Sequence, residues 1–154
     1  MTISRHKDAL LTLEDAGISK TSQRLAVMSI LLSATTPVSV NTIRQDLKTI
    51  ARIDKVTVYR ILSLFKQHGI IREIPSATGT SYFEMATADN PQHPHFNCRS
   101  CGAFICLKPL PFTEAPEVIL SKDNSIIDHI DINISGLCAV CRKSNKLQGT
   151  IGQK

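Results

Sequence analysis

Apolar residues recur at helical spacing through the first half of this chain and at strand spacing through the second. Val58, Ile61, Leu62 and Phe65 stand at i, i+3, i+4 and i+7, one buried stripe on a helix. That helix is predicted from Asp54, a good N-cap, to His68, with Gly69 behind it. Three patterns precede it. Residues 4–16 carry Leu10 and Leu13 on one face and stop at Gly17. A second helix runs from the N-cap Thr21 to Ser33, and its Leu25, Val27, Met28, Ile30, Leu31 and Leu32 make it the most buried. A third follows Pro37, with Ser39 as N-cap and Val40, Ile43, Leu47 and Ile50 near helical spacing.

Then the period changes. Ile70–Ile74 and Ser81–Met85 read as strands, with residues 76–80 as their turn. Helices followed by a two-stranded wing predict a winged helix-turn-helix, the fourth helix being the recognition helix. Residues 87–94 are polar and proline-punctuated, and read as an interdomain hinge. Beyond it, strands are predicted at His95–Cys98, Ala103–Leu107 and Ile126–Ile134, the last with apolar alternation at Ile130, Ile132 and Ile134. A short helix within 113–122 competes with Pro109, Pro111 and Pro116, and the polar tail after Cys141 reads as a frayed helix. The expected class is α+β: a winged-helix DNA-binding domain over 1–86, a hinge over 87–94 and a second small domain over 95–154.

A chain of 154 residues holds one ordinary domain or two small ones, and two would each have a thin core that a metal helps to hold. Charge separates the halves. Residues 1–75 hold 11 Lys and Arg against 6 Asp and Glu, whereas 76–154 hold 7 of each. A basic first domain beside a neutral second fits DNA binding by the first, although +5 is also an ordinary surface charge. No signal peptide opens the chain, and no apolar run approaches the roughly 18 residues that cross a membrane. A reducing cytoplasm is therefore expected, where paired cysteines are more often metal ligands than disulfides.

Two Cys-x-x-Cys pairs, Cys98/Cys101 and Cys138/Cys141, supply four thiolates, enough for a closed tetrahedral zinc site. Reversible disulfides are the alternative. The 36 residues between the pairs exceed a simple zinc ribbon and leave room for strands. Alternation puts His93 and His95 on one side of an extended segment. With Glu84 at the end of the hairpin and Cys106 one strand beyond the first pair, they make a candidate second site with ligands from both domains. Otherwise the histidines are polar hinge residues and Cys106 a small buried hydrophobe. In the recognition helix, Tyr59 and Arg60 point away from the stripe of Val58, placed for major-groove or phosphate contact. Thr57, Lys20, Arg24, Arg52 and Lys55 are further DNA candidates, each equally readable as a solvated side chain.

With these residues in view, the sequence resembles the ferric uptake regulator (Fur) family. The matching stretches are Thr21-Ser22-Gln23-Arg24, Thr57-Val58-Tyr59-Arg60 with Gly69, Tyr82-Phe83-Glu84, His93-x-His95-Phe-x-Cys98-x-x-Cys101-Gly102 and Gly136-Leu137-Cys138-x-x-Cys141. The resemblance implies a cytoplasmic homodimer with a C-terminal α/β dimerisation domain, repressing metal-homeostasis genes from palindromic operators on double-stranded DNA. It puts structural zinc on the four paired cysteines, sensory metal on Glu84, His93 and His95, and DNA contacts on Tyr59 and Arg60. Three departures stand out. Pro37 occupies the place of a frequent sensory His before the third helix. Cys106 stands where many members have Asp or Glu. His129, nine residues before Cys138, has a spacing that looks like the zinc uptake regulator branch. A thiolate in place of a carboxylate favours Zn2+ over Fe2+ or Mn2+. A zinc-responsive repressor is thus expected, with an iron- or peroxide-sensing repressor as the alternative. His129 is a candidate for a further metal site with Glu114 or Asp128, or a surface or core residue. An enzyme is not expected. Nucleobase deaminases need His-x-Glu beside Pro-Cys-x-x-Cys, which is absent, and a thiol oxidoreductase does not explain two pairs.

Overall fold

The computed structural model describes residues 2–48, 53–76, 79–108 and 131–148. The chain packs as two compact units, 1–91 and 92–154. Ile50, Arg52, Glu114, Asp128, His129, the helix expected within 113–122 and the strand residues 126–130 lie outside the described residues.

In the first unit, helices span Thr2–Asp15 (α1), Ser22–Ser33 (α2), Val40–Leu47 (α3) and Lys55–Gln67 (α4). Strands Val38–Ser39 (β1), Ile71–Pro75 (β2) and Ser81–Met85 (β3) form an antiparallel sheet in the order β1-β3-β2. The three N-caps are extended, and each side chain accepts the amide three residues on: Thr21 from Arg24 at 3.3 Å, Ser39 from Thr42 at 3.2 Å, Asp54 from Thr57 at 2.9 Å. Such a bond satisfies one of the four amides a helix start leaves open. Ser39 is buried and also lies 3.0 Å from the Thr42 hydroxyl. Ser39→Ala is expected to destabilise the first unit by about 1 kcal/mol, read as a lower urea midpoint at unchanged slope. At the far end of α4, Gly69 turns the chain at φ +69°, and the Ile70 amide closes on the Phe65 carbonyl at 3.1 Å.

The core draws on every element. Ala9 and Leu13 of α1, Val27, Met28 and Leu31 of α2, and Val40, Ile43 and Leu47 of α3 surround the α4 stripe, with Ile71 and Phe83 from the sheet. Each of the larger of these side chains contributes about 1.5–3 kcal/mol by leaving water. The two-residue β1 is not foreseen by any periodicity. It pairs Val38 with Phe83 and Ser39 with Tyr82, and so ties the start of α3 to the wing. After β3, residues 87–90 form a tight turn: Thr87 and Asn90 bridge, and the Asn90 side-chain amide donates to the Met85 carbonyl at 2.7 Å.

In the second unit, strands His95–Cys98 (β4), Phe104–Cys106 (β5) and Asn133–Gly136 (β6) lie in the order β5-β4-β6, and helix Ala139–Gln148 (α5) follows. β4 runs antiparallel to β5 and parallel to β6. Ile134, one of the alternating isoleucines, is 43% exposed. The parallel register sets it opposite Phe96, itself opposite Ile105, so these three make a row on the face away from His95. The tail helix starts at Ala139 and so contains Cys141, rather than beginning after it. Among the described residues, no helix is long and apolar enough to cross a membrane.

Candidate metal centres and nucleic-acid interface

Cys98 ends β4, and the chain reverses through Cys101. Gly102 makes this reversal at φ +71°, a left-handed conformation that a side chain would strain, and donates its amide to the Cys98 carbonyl at 2.8 Å. The register Cys98↔Gly136 ends β6 beside β4, so Cys138 arrives next to Cys98, with Cys141 three residues on along the first turn of α5. All four sulfurs lie within 4.8 Å of one another, and those of Cys101 and Cys138 are 3.8 Å apart. Zinc–sulfur bonds of about 2.3 Å in a tetrahedron require sulfurs about 3.8 Å apart, so the four cysteines fit a zinc ion. No disulfide joins any of the five cysteines.

The backbone prepares this site. The Cys138 amide donates to the Cys98 sulfur at 3.3 Å, and with the Cys101 and Ser100 amides it lowers the Cys98 thiol to about 6. Cys141 behaves oppositely. A hydrogen bond from Ser100 favours its thiolate, but the sulfurs of Cys101 and Cys138 together outweigh it and push the thiol up to about 12. The four sulfurs titrate as a set, and the protons they still share near neutral pH must leave when a metal binds. Zinc loading is therefore expected to release protons, and affinity to rise with pH between 6 and 8. Calorimetry in buffers of different ionisation enthalpy checks this; a heat that does not depend on the buffer would contradict it.

His93 and His95 are 9% and 6% exposed, with ring centroids 4.5 Å apart. The His95 ring packs 5.4 Å from that of Phe104, and His95 stands opposite Cys106 across β4 and β5. The donor atoms of His93, His95 and Cys106 lie within 4.8 Å of one another. Two imidazoles and a thiolate this close fit one ion with bonds of about 2.0–2.3 Å. Backbone bonds fix the segment, the His95 amide to the Ile132 carbonyl and the Leu107 amide to the Pro94 carbonyl, both at 2.9 Å. In the first unit, Glu84 is 7% exposed on β3. Arg72 pairs with it across the hairpin, donating Nε at 3.1 Å and Nη2 at 2.9 Å, both to Oε1. Arg72 is not among the sequence candidates. Its signal is the hairpin register, which sets residue 72 opposite residue 84.

On α4, Tyr59 is 44% exposed and Arg60 is exposed, both turned from the buried stripe. The Lys55 ammonium lies 5.7 Å from the Tyr59 ring centre, within cation–π range. Three other DNA candidates have partners inside the chain. The Thr57 hydroxyl donates to the Asp54 carboxylate at 2.5 Å, and this bond with the Thr57 amide holds that carboxyl below its usual range. Lys20 pairs with Glu14 at 2.9 Å, and the Arg24 guanidinium donates to the Ser19 carbonyl at 3.0 Å and to its hydroxyl. The Lys20 pair is exposed, and surface pairs of this kind contribute little, so a phosphate can replace Glu14 as its partner.

Against known proteins, the model of the ferric uptake regulator family matches residues 15–135. A peroxide-responsive repressor, PerR, of Staphylococcus saprophyticus is 27% identical over 137 residues, 88% of this chain and 90% of that one. The Vibrio cholerae ferric uptake regulator superposes with a TM-score of 0.68 at 27% identity, covering 83% of this chain and 98% of the other. A zinc uptake regulator solved with zinc and DNA shares the fold, with a TM-score of 0.68 at 21% identity over 95% of this chain and 98% of its own. Because the family match runs from the last residue of α1 into β6, taking in the wing and both strands that precede the cysteine pairs, this chain belongs to the ferric uptake regulator family.

Proposed function

We propose that this chain is a zinc-sensing transcriptional repressor. As a homodimer it binds a palindromic operator of double-stranded DNA and silences metal-uptake genes while its sensory site is filled. The observation that carries this reading is Cys106, whose sulfur stands among the donor atoms of His93 and His95. A thiolate there favours zinc over the harder Fe2+ and Mn2+, and with Glu84 assigned as fourth ligand the set suits tetrahedral zinc. Cys98, Cys101, Cys138 and Cys141 are assigned to a structural zinc. No residue is assigned a catalytic role.

Ligands drawn from 1–86 and from 95–154 would let the sensory ion narrow the arrangements that the hinge 87–94 allows. In a two-fold dimer the recognition helices would then stand about one DNA turn apart, in register with a palindrome. Tyr59, Arg60 and Lys55 are the contacts best presented on α4, with Thr57, Arg24 and Lys20 supporting them. Metal and DNA binding would favour each other reciprocally by about 1–3 kcal/mol.

A second reading is favoured by the relatives themselves, among which are peroxide-responsive repressors. In it, ferrous iron held by His93 and His95 reacts with peroxide and a ligand of the site is oxidised, or the Cys106 thiol is itself the oxidised group. One experiment separates the two. Zinc is titrated into reduced, chelator-stripped protein against a chromophoric competitor, for the parent and for Cys106→Ser. A tight and a weaker class, the weaker lost with Cys106, supports zinc sensing. An unchanged weaker class in Cys106→Ser sinks it, and loss of DNA binding with peroxide at constant zinc content supports the second reading.

A further inference from the structure

We infer that Arg72 is the positioning residue of the sensory site, orienting Glu84 while fastening the strap 85–91 to the same guanidinium. The inference rests on the assignment of Glu84 as a sensory ligand. Within the first unit, Arg72 does two things at once. Its Nε and Nη2 both end on Oε1 of Glu84, which fixes the carboxylate from one side. The same Nη2 reaches the Asn90 carbonyl at 2.6 Å and the Met85 and Pro91 carbonyls at 3.4 Å each. Asn90 completes the arrangement through its side-chain bond to Met85 and its amide bond to the Thr87 carbonyl at 3.0 Å. His93 follows Pro91 after one residue.

Burial makes the pair effective. The Arg72 and Glu84 side chains are mostly shielded, so water competes poorly for either. The planar fork of an arginine suits a partner set of one carboxylate and several carbonyls, and an ammonium cannot reproduce it. Two effects of removing Arg72 oppose each other. Its positive charge works against a nearby metal ion. Its bonds hold the carboxylate and the strap in place. Orientation wins, because a buried carboxylate stripped of its partner turns toward water and takes its ligand atom with it. Outer-shell partners of metal ligands typically matter by 10–100-fold in affinity.

The test uses the full chain, with zinc alone as probe, in Arg72→Gln, Arg72→Lys and Glu84→Gln. Arg72→Gln is expected to weaken the weaker zinc class about 10–100-fold and to leave the tight class unchanged. Arg72→Lys should recover only part of the loss. Hydrogen exchange on the zinc-free protein should show the Ala86 and Asn90 amides losing protection while α4 amides keep theirs, a pattern general destabilisation would not give. Parent-like zinc binding by Arg72→Gln, with Glu84→Gln impaired, overturns the role of Arg72 and leaves the ligand assignment standing. Parent-like binding by Glu84→Gln overturns both. Should Arg72→Gln fail to fold, Arg72→Lys decides, and parent-like affinity there overturns the inference.

Discussion

Cys98→Ser is expected to lower the affinity of the tight zinc class on the order of 10²–10³-fold, one ligand's share of a four-ligand zinc site. The second unit should lose its fold as the metal leaves. The substitution isolates metal ligation. Cys98 is fully buried at the end of β4, serine is nearly isosteric, and a hydroxyl can keep the bond that the Cys138 amide makes to Cys98. What serine cannot supply near neutral pH is an anion. Among the described apolar residues of the second unit, Ile105, Ile134 and Val140 are exposed. The first unit has its own core and should keep its helical signal. Circular dichroism followed by zinc counting reads both halves of the prediction. One equivalent of tightly held zinc in the folded variant would refute it.

His95→Ala is expected to weaken the second zinc class by about 10²-fold or more, by the same one-ligand reasoning. Zinc should then lose most of its effect on DNA affinity, an effect typically worth 5–150-fold. His95 combines near-complete burial, contact with Phe104 and a place opposite Cys106. The cavity left by alanine is a confounding cost, and His95→Gln keeps the volume without restoring the imidazole. Both variants should retain the tight class. Parent-like zinc affinity in His95→Gln would remove His95 from the ligand set.

The helical half is legible because its signals are local. A cap, a stripe and a stop lie within one helix length, so Thr21, Ser39, Asp54 and Gly69 are each found where the pattern puts them. Less legible is whatever depends on pairing at a distance. β1 has two residues and no period of its own, and only its partner β3 makes it a strand. The outward Ile134 follows from a parallel register with β4 that alternation alone does not specify. The cysteine pairs and the His-x-His are readable as ligands from residue type and spacing, yet the 3.8 Å approach of Cys101 to Cys138 is a product of β4 and β6 ending together. Thr57 shows a residue with two readings. Its place on the recognition helix suggests a DNA contact, while its hydroxyl bonds the cap residue three positions earlier. Charge type marks a candidate, but competing intramolecular partners decide how it is used.

The parallel pairing of β4 with β6 also sets an order of events during synthesis. The first unit ends at Pro91. Every strand and helix of its core is therefore available to fold while the rest of the chain is still being made. The clamp cannot close until Cys138 and Cys141 have emerged, which at about 5–20 residues per second comes roughly 2–10 s later. A nascent chain thus carries a finished DNA-reading head well before it carries a place for its stabilising ion. Capture of an ion by the four cysteines can therefore only follow the window in which the first unit folds.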